Sequence, residues 1–209
     1  FIVFDVFKAT KEEWFTAANL WHTRKIVDQG EHWYDTQYDS LRRLAVSTDN
    51  SLFIYFPKKH FRLERVEKEK RYYQDEWVIA QFTGQHFELG QHIGFVTVLI
   101  PNASDEKPKP WLKEIKFVDS DVSGKGMSVE INHDNKTIHL GIKCDLRMDM
   151  IRDYRRPKYT YKSGRIKFGK FESNGDFFYL EKSGKTLQFT VVNLSKAIYD
   201  GRELFSQKP

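Results

Sequence analysis

Apolar and polar residues alternate at short period along most of this chain, and few segments carry the three-to-four-residue spacing of a helix. FIVFDVF at residues 1–7 is apolar on both faces, as in a strand covered on two sides. Further strands are predicted at 14–23 (WFTAANLWHT), 51–57 (SLFIYFP), 78–84 (VIAQFTG) and 92–101 (HIGFVTVLIP), each bounded by turn residues. DQGEHWYDTQYDS, with Gly30 and several Asp residues, reads as a loop or short hairpin. RLERVEKEKRYYQDE at 62–76 has the Glu, Lys and Arg content of a helix, but Leu63 and Val66 give it only a thin apolar stripe. It reads as strand and exposed loop.

Residues 101–117, PNASDEKPKPWLKEIKF, hold three of the six prolines and mark a solvent-exposed linker, able to divide the chain into two sheets or two subdomains. Beyond it the pattern becomes a meander, with turns expected at Asp134-Asn135-Lys136, Asn174-Gly175 and Ser183-Gly184. About a dozen strands and almost no helix imply an all-β fold, an antiparallel two-sheet β-sandwich in which each sheet buries its apolar face on the other. The expectation is one such domain over 1–209, with a Pro-rich exposed connection near 101–111.

Composition refines that picture. The apolar fraction is 40%, but aromatics reach 15% with Phe 17 and Tyr 10, so much of the core must be aromatic. Lys plus Arg exceed Asp plus Glu by 34 to 29, a formal net charge of +5, and both signs are mixed along the sequence. That balance suits a polyanionic partner only weakly. The single cysteine, Cys144, excludes an internal disulfide and has no second Cys with which to build a zinc site. No apolar run approaches the ~20 residues a membrane-crossing helix needs. The chain opens on a strand, with neither an initiating Met nor a signal-peptide pattern, and is expected to be a C-terminal fragment of a longer protein.

Three clusters are candidates for chemistry. In NHDNKTIH, His133 and His139 lie on the two arms of a tight hairpin, but no third ligand accompanies them; His86, Glu88 and His92 in GQHFELGQHIG have no helical metal spacing. No metal and no cofactor is therefore expected. LWHT and GEHWYDTQY bring Trp21, His22, His32, Trp33, Tyr34 and Tyr38 close in sequence. Aromatic rings rimmed by polar groups suit sugar rings, although the same residues equally build a sandwich core.

The segment 147–167 interleaves Arg147, Arg152, Arg155, Arg156, Lys158, Lys162, Arg165 and Lys167 with Tyr154, Tyr159 and Tyr161. Guanidinium forks match carboxylate, sulfate or phosphate oxygens, so this stretch either faces an acidic polymer or is a solvated loop. Nucleic acid would use the same features, stacking bases on the tyrosines. No phosphate-cradling glycine loop, nucleophile elbow or HExxH is present. The expected substrate-binding residues are Trp21, His22, Trp33, Tyr34, Arg152, Arg155, Arg156 and Tyr159.

Phe4-Asp5 in the first apolar strand and Trp21-His22 closing the second give the chain's opening a form that resembles the C-terminal β-sandwich of heparinase II/III-like polysaccharide lyases. The resemblance implies an α/α toroid on the N-terminal side as a partner domain, in a bacterial protein that is periplasmic or secreted. It implies cleavage of acidic, uronate-containing polysaccharide by β-elimination, in which a base takes the proton α to a neutralised carboxylate. The family's metal ligands lie upstream of the matched Asp strand, and no tyrosine here sits in a matching motif. No catalytic residue is thus assigned, and the piece is expected to be an accessory sandwich, inactive alone, or else a stand-alone carbohydrate-binding module. Neither nucleic acid nor a membrane is an expected partner. Asp5 and His22 are expected to pair across neighbouring strands, because a polar group buried beside aromatics needs a partner.

Overall fold

A computed structural model describes residues 1–37, 50–59, 61–71, 74–103, 112–119, 125–149, 158–161 and 164–206. The fold is all-β, and nineteen strands are present among the described residues, more than the dozen expected from the pattern. The surplus comes from short strands of three to five residues that carry too few alternations to be read locally. By contacts the chain divides into two compact units, Phe1–Gly90 with Phe95–Lys113, and Gln91–Gly94 with Glu114–Pro209.

The first unit contains β1 (Ile2–Lys8), β2 (Glu13–Thr23), β3 (Lys25–Gly30), β4 (Trp33–Gln37), β5 (Asn50–Tyr55), β6 (Leu63–Arg71), β7 (Gln74–Phe87) and most of β8 (His92–Ala103). They form a five-stranded sheet in the order β1-β8-β5-β4-β3 and a three-stranded sheet in the order β2-β7-β6. Period-two alternation explains the smaller sheet. On β7, Ile79, Gln81, Thr83 and Phe87 are buried, while Ala80, Phe82, Gly84 and His86 between them are not. Tyr34, Ile54, Phe56 and Ile79 form a core cluster with Trp21, Ile26, Val66 and Leu99 around it, so residues of both sheets share one apolar interior. The strand read from 62–76 pairs with β7, placing Glu64 and Val66 opposite the buried Gln81 and Ile79.

In the larger sheet, Phe53 and Ile54 are successive and both buried, as are Tyr55 and Phe56. This strand is covered on two faces, which accounts for its unbroken apolar run. On the edge strand β3 the register with β4 shifts between Ile26 and Asp28, a β-bulge that takes Val27 out of the pairing.

The second unit contains β9 (Ile115–Asp119), β10 (Gly126–His133), β11 (Lys136–Lys143), β12 (Leu146–Asp149), β13 (Lys158–Tyr161), β14 (Ile166–Phe168), β15 (Phe171–Ser173), β16 (Phe177–Ser183), β17 (Thr186–Val192), β18 (Lys196–Tyr199) and β19 (Arg202–Ser206). Its sheets run β17-β16-β11-β10-β9 and β14-β15-β18-β19, beside a β12-β13 ribbon. Phe168, Phe171 and Phe178 sit at the centre of a cluster with Ile166, Leu180 and Ala197, with 5.0 Å between the ring centroids of Phe178 and each of the other two rings. The expected aromatic core is thus present between these two sheets.

The turns follow their residues in two of three cases. Asp134 and Asn135 both adopt positive φ, 49° and 61°, between β10 and β11. Gly184 does so at 56° between β16 and β17. Asn174-Gly175 differs: it joins β15 to β16, which belong to different sheets, and neither residue has positive φ. It is a crossover between layers. The hairpin chemistry lies instead at Asp200 and Gly201, with φ of 51° and 76°, between β18 and β19. The Pro-rich linker is described only at its ends: β8 runs on through Pro101 to Ala103, and 104–111 lie outside the described residues.

Candidate functional site

The aromatic and histidine residues grouped by the sequence separate in space. Trp21 points between the sheets of the first unit, where its Nε1 donates to Thr97 Oγ1 at 3.2 Å. The same hydroxyl oxygen accepts from Asn19 Nδ2 at 2.8 Å. His22 follows on the opposite face of β2, and its Nδ1 lies 3.3 Å from Glu76 Oε2. The expected Asp5–His22 pair is therefore replaced by His22–Glu76, because β1 and β2 belong to different sheets while β7, which carries Glu76, is the neighbour of β2. Burial raises the Asp5 carboxyl above its ordinary value. Trp33 lies on the face of β4 opposite to Tyr34 and stacks on Phe53 at 5.0 Å and 15°. Tyr38, Arg152, Arg155 and Arg156 lie outside the described residues, and Tyr159 is placed only as a backbone position of β13 opposite Met148.

Among the described residues, none of the expected set lines a groove with ligand-sized space; Tyr34 is the cross-strand partner of one residue that does, Gln29. A groove of about 460 Å³ runs between the edge strand β3 and strands β6 and β7, lined by Ile26, Val27, Asp28, Gln29, Val66 and Trp77. Trp77 shares the face of β7 that carries Ile79, so its indole belongs to the inner surface at the point where β3 leaves the interior partly open. The bulge at Val27 belongs to this wall, in keeping with the use of bulges to re-aim side chains at a sheet edge.

Next along the same edge is a polar cluster. Gln29 is the cross-strand partner of Tyr34, whose hydroxyl donates to Glu64 Oε2 at 3.0 Å. Glu64 lies two residues before Val66 on β6, and its Oε1 is 2.6 Å from His32 Nδ1. His32 occupies the β3–β4 turn at a positive φ of 64°, and its Nε2 faces Glu31 Oε1 at 3.4 Å. Burial, then the charge of Glu64 and its hydrogen bond, push the Tyr34 phenol well above its ordinary value, and burial with Glu64 and Glu31 raises Tyr55 too. Both Glu64 oxygens are thus engaged, which suits fixing the end of the groove rather than moving a proton.

Trp77 and Glu64 were not singled out from sequence. The signal was present: period two from Ile79 puts Trp77 inward, and period two from Val66 does the same for Glu64.

Histidines elsewhere lie close to acids. His139 Nδ1 is 3.9 Å from Glu130 Oε2, His133 Nε2 is 3.3 Å from Asp134, and His92 Nε2 is 3.6 Å from Asp145. His133 and His139 are not cross-strand partners, because the register sets them against Lys136 and Glu130. Among the described residues no three His, Cys, Asp or Glu side chains converge in a metal cage, and no helix is long and apolar enough to cross a membrane.

Fold and site together define an all-β chain of antiparallel sheets with a groove at the β3 edge whose lining includes one indole, Trp77. Set against models of known protein families and against curated protein sequences, the chain matches none.

Proposed function

We propose that the first unit binds carbohydrate in its edge groove, and that the chain serves as an accessory sandwich of a polysaccharide-cleaving protein. The observation that supports sugar binding is the groove itself, lined by the half-buried Trp77 together with Asp28 and Gln29. An indole face packs on the C–H face of a pyranose, and carboxylate and amide groups at the rim accept or donate to its hydroxyls. The lining contains one acid and no base, which favours a neutral sugar unit over a uronate at this point. The accessory role, the α/α toroid as neighbour, a uronate-containing polymer as overall target and a periplasmic or secreted setting are carried by the resemblance at Phe4-Asp5 and Trp21-His22.

Affinity electrophoresis of the 209-residue chain through gels containing neutral or uronate-rich glycans tests the binding. Retardation is expected in at least one neutral glycan, with an approximately tenfold loss of affinity in Trp77→Ala. Free migration in every gel, or retardation unchanged in Trp77→Ala, contradicts it. Incubation with uronate polymers is expected to yield no ultraviolet absorbance from unsaturated uronate; its appearance would show that the chain carries its own catalytic groups.

A further inference from the structure

The sheets of the first unit end on four edge strands, β1, β3, β6 and β2. An open edge offers a row of unpaired N–H and C=O groups to any extended chain, and folded proteins block it with charge, a bulge or an inward-pointing acid. Three of the four edges carry such a device. Every residue of β6 except Leu63 and Val66 is charged. β3 has the bulge at Val27, and β1 has the half-buried Asp5 at its centre.

β2 has none of these. It is eleven residues long and pairs with β7 without a register shift from Glu13 to Thr23. Between Glu13 and His22 it contains neither a charged residue nor a proline. Among the described strands only β7 runs beside it. On its outer face Trp14 and Leu20 are 73% and 52% exposed, and on its inner face Phe15 and Trp21 are only half-buried. A long apolar edge left open invites aggregation, so a chain that keeps one in solution needs a strand to close it.

The strand complements itself. Let β2 pair antiparallel with β2 of a second copy about a two-fold axis at Ala18. On the outer side Trp14 then faces the second copy's His22, Thr16 faces its Leu20 and Ala18 faces its Ala18; on the inner side Phe15 faces its Trp21 and Ala17 faces its Asn19. Glu13 falls opposite Thr23, so no like charges meet, aromatic rings meet aromatic rings, and the alternation of the two faces is preserved. An eleven-residue overlap supplies about ten backbone hydrogen bonds, as many as a typical protein interface contains.

We propose that the chain forms a two-fold dimer through the β2 edge, joining two three-stranded sheets into one in the order β6-β7-β2-β2-β7-β6. None of the groove residues lies on β2, and the dimer stands whether or not the groove holds sugar.

Sedimentation velocity of the full chain over a range of concentrations tests it, and a species of twice the chain mass is expected at micromolar concentration. Ala18 lies on the outer face, so Ala18→Lys opposes two ammonium groups at the axis without entering the core. It is expected to weaken the dimer roughly tenfold or more and to leave the circular dichroism unchanged. Should it not fold, Thr16→Lys combined with Leu20→Lys, both at exposed positions, opposes two lysine pairs and carries the same expectation. Leu63→Lys is on the same outer face but on the far strand β6, and is expected to keep the dimer, which separates edge pairing from packing of the exposed face. Ala18→Cys is expected to cross-link into a disulfide dimer on mild oxidation and Leu20→Cys is not, because only residue 18 meets its own copy; Cys144 is buried and does not compete. A monomer at every concentration, a dimer indifferent to lysine on β2, a dimer lost equally in Leu63→Lys, or cross-linking through position 20 rather than 18 overturns the proposal.

Discussion

The ammonium of Lys143 donates to Asp176 Oδ1 at 3.2 Å, with only 5% and 15% of the two side chains exposed. The same Nζ donates to the Asn174 carbonyl at 2.6 Å, and Asn193 Nδ2 donates to the other Asp176 oxygen at 2.7 Å. The crossover between the two large sheets of the second unit is held by this network. From the far side, the main-chain N–H groups of Ser195 and Lys196 donate to Asn174 Oδ1 at 3.1 and 2.8 Å. Removing one member strands a buried charge. Asp176→Ala is expected to lose about 3 kcal/mol in urea unfolding, whereas Lys143→Met with Asp176→Leu recovers much of it. A loss below about 1 kcal/mol in the single variant would mean water satisfies Lys143.

Gly175 is required by space. A Cβ there would run into the Val191 side chain, while a Cβ at Gly184 meets nothing within 4 Å and suffers only from the positive φ of 56°. Gly175→Ala is expected to cost about 1–3 kcal/mol by overpacking and Gly184→Ala about 1 kcal/mol by backbone strain. The order of their urea midpoints checks this, and the reverse order would contradict the close approach.

Trp21 belongs to the interior. Trp21→Phe keeps most of the apolar volume and loses the donor to Thr97 Oγ1, which still receives Asn19. A loss of about 1 kcal/mol is expected, with glycan retardation unchanged. Weaker retardation at unchanged stability would return Trp21 to the binding surface.

His139 gives the second unit a pH dependence. Burial lowers its imidazole below the ordinary 6.5, and Glu130 opposes that only in part. The folded chain then holds the neutral ring while the unfolded chain takes up a proton. Stability from this group is complete above pH 6.5 and falls as the pH drops from there toward the lowered folded value. The difference in unfolding free energy between pH 8 and pH 5 is expected to shrink in His139→Gln. An undiminished difference would assign the slope to other groups.

Much of the fold was legible because its signals are local. Asp134-Asn135 and Ser183-Gly184 announce hairpins, since residues able to take positive φ fit the turns that match strand twist. Asn174-Gly175 carries the same letters and does not make one. Its neighbours β15 and β16 are drawn into separate sheets by the packing of Phe171 and Phe178 against each other. The candidate site was barely legible: Tyr34 of the neighbouring polar cluster came from the aromatic residues, but its partner Glu64 lies thirty residues away, and Trp77 lines the groove from a strand further still along the chain.

The amino-acid order alone determined that this chain is made of strands, which faces of them are apolar, and that its interior is aromatic, because side-chain alternation and turn preference act between neighbouring residues. The tertiary structure alone decided which strands share a sheet, that His22 meets Glu76 rather than Asp5, and that Asp28 stands opposite Asp35. Those outcomes depend on long-range register, where a strand's hydrogen-bonding edge accepts any extended partner and packing of the two layers makes the choice.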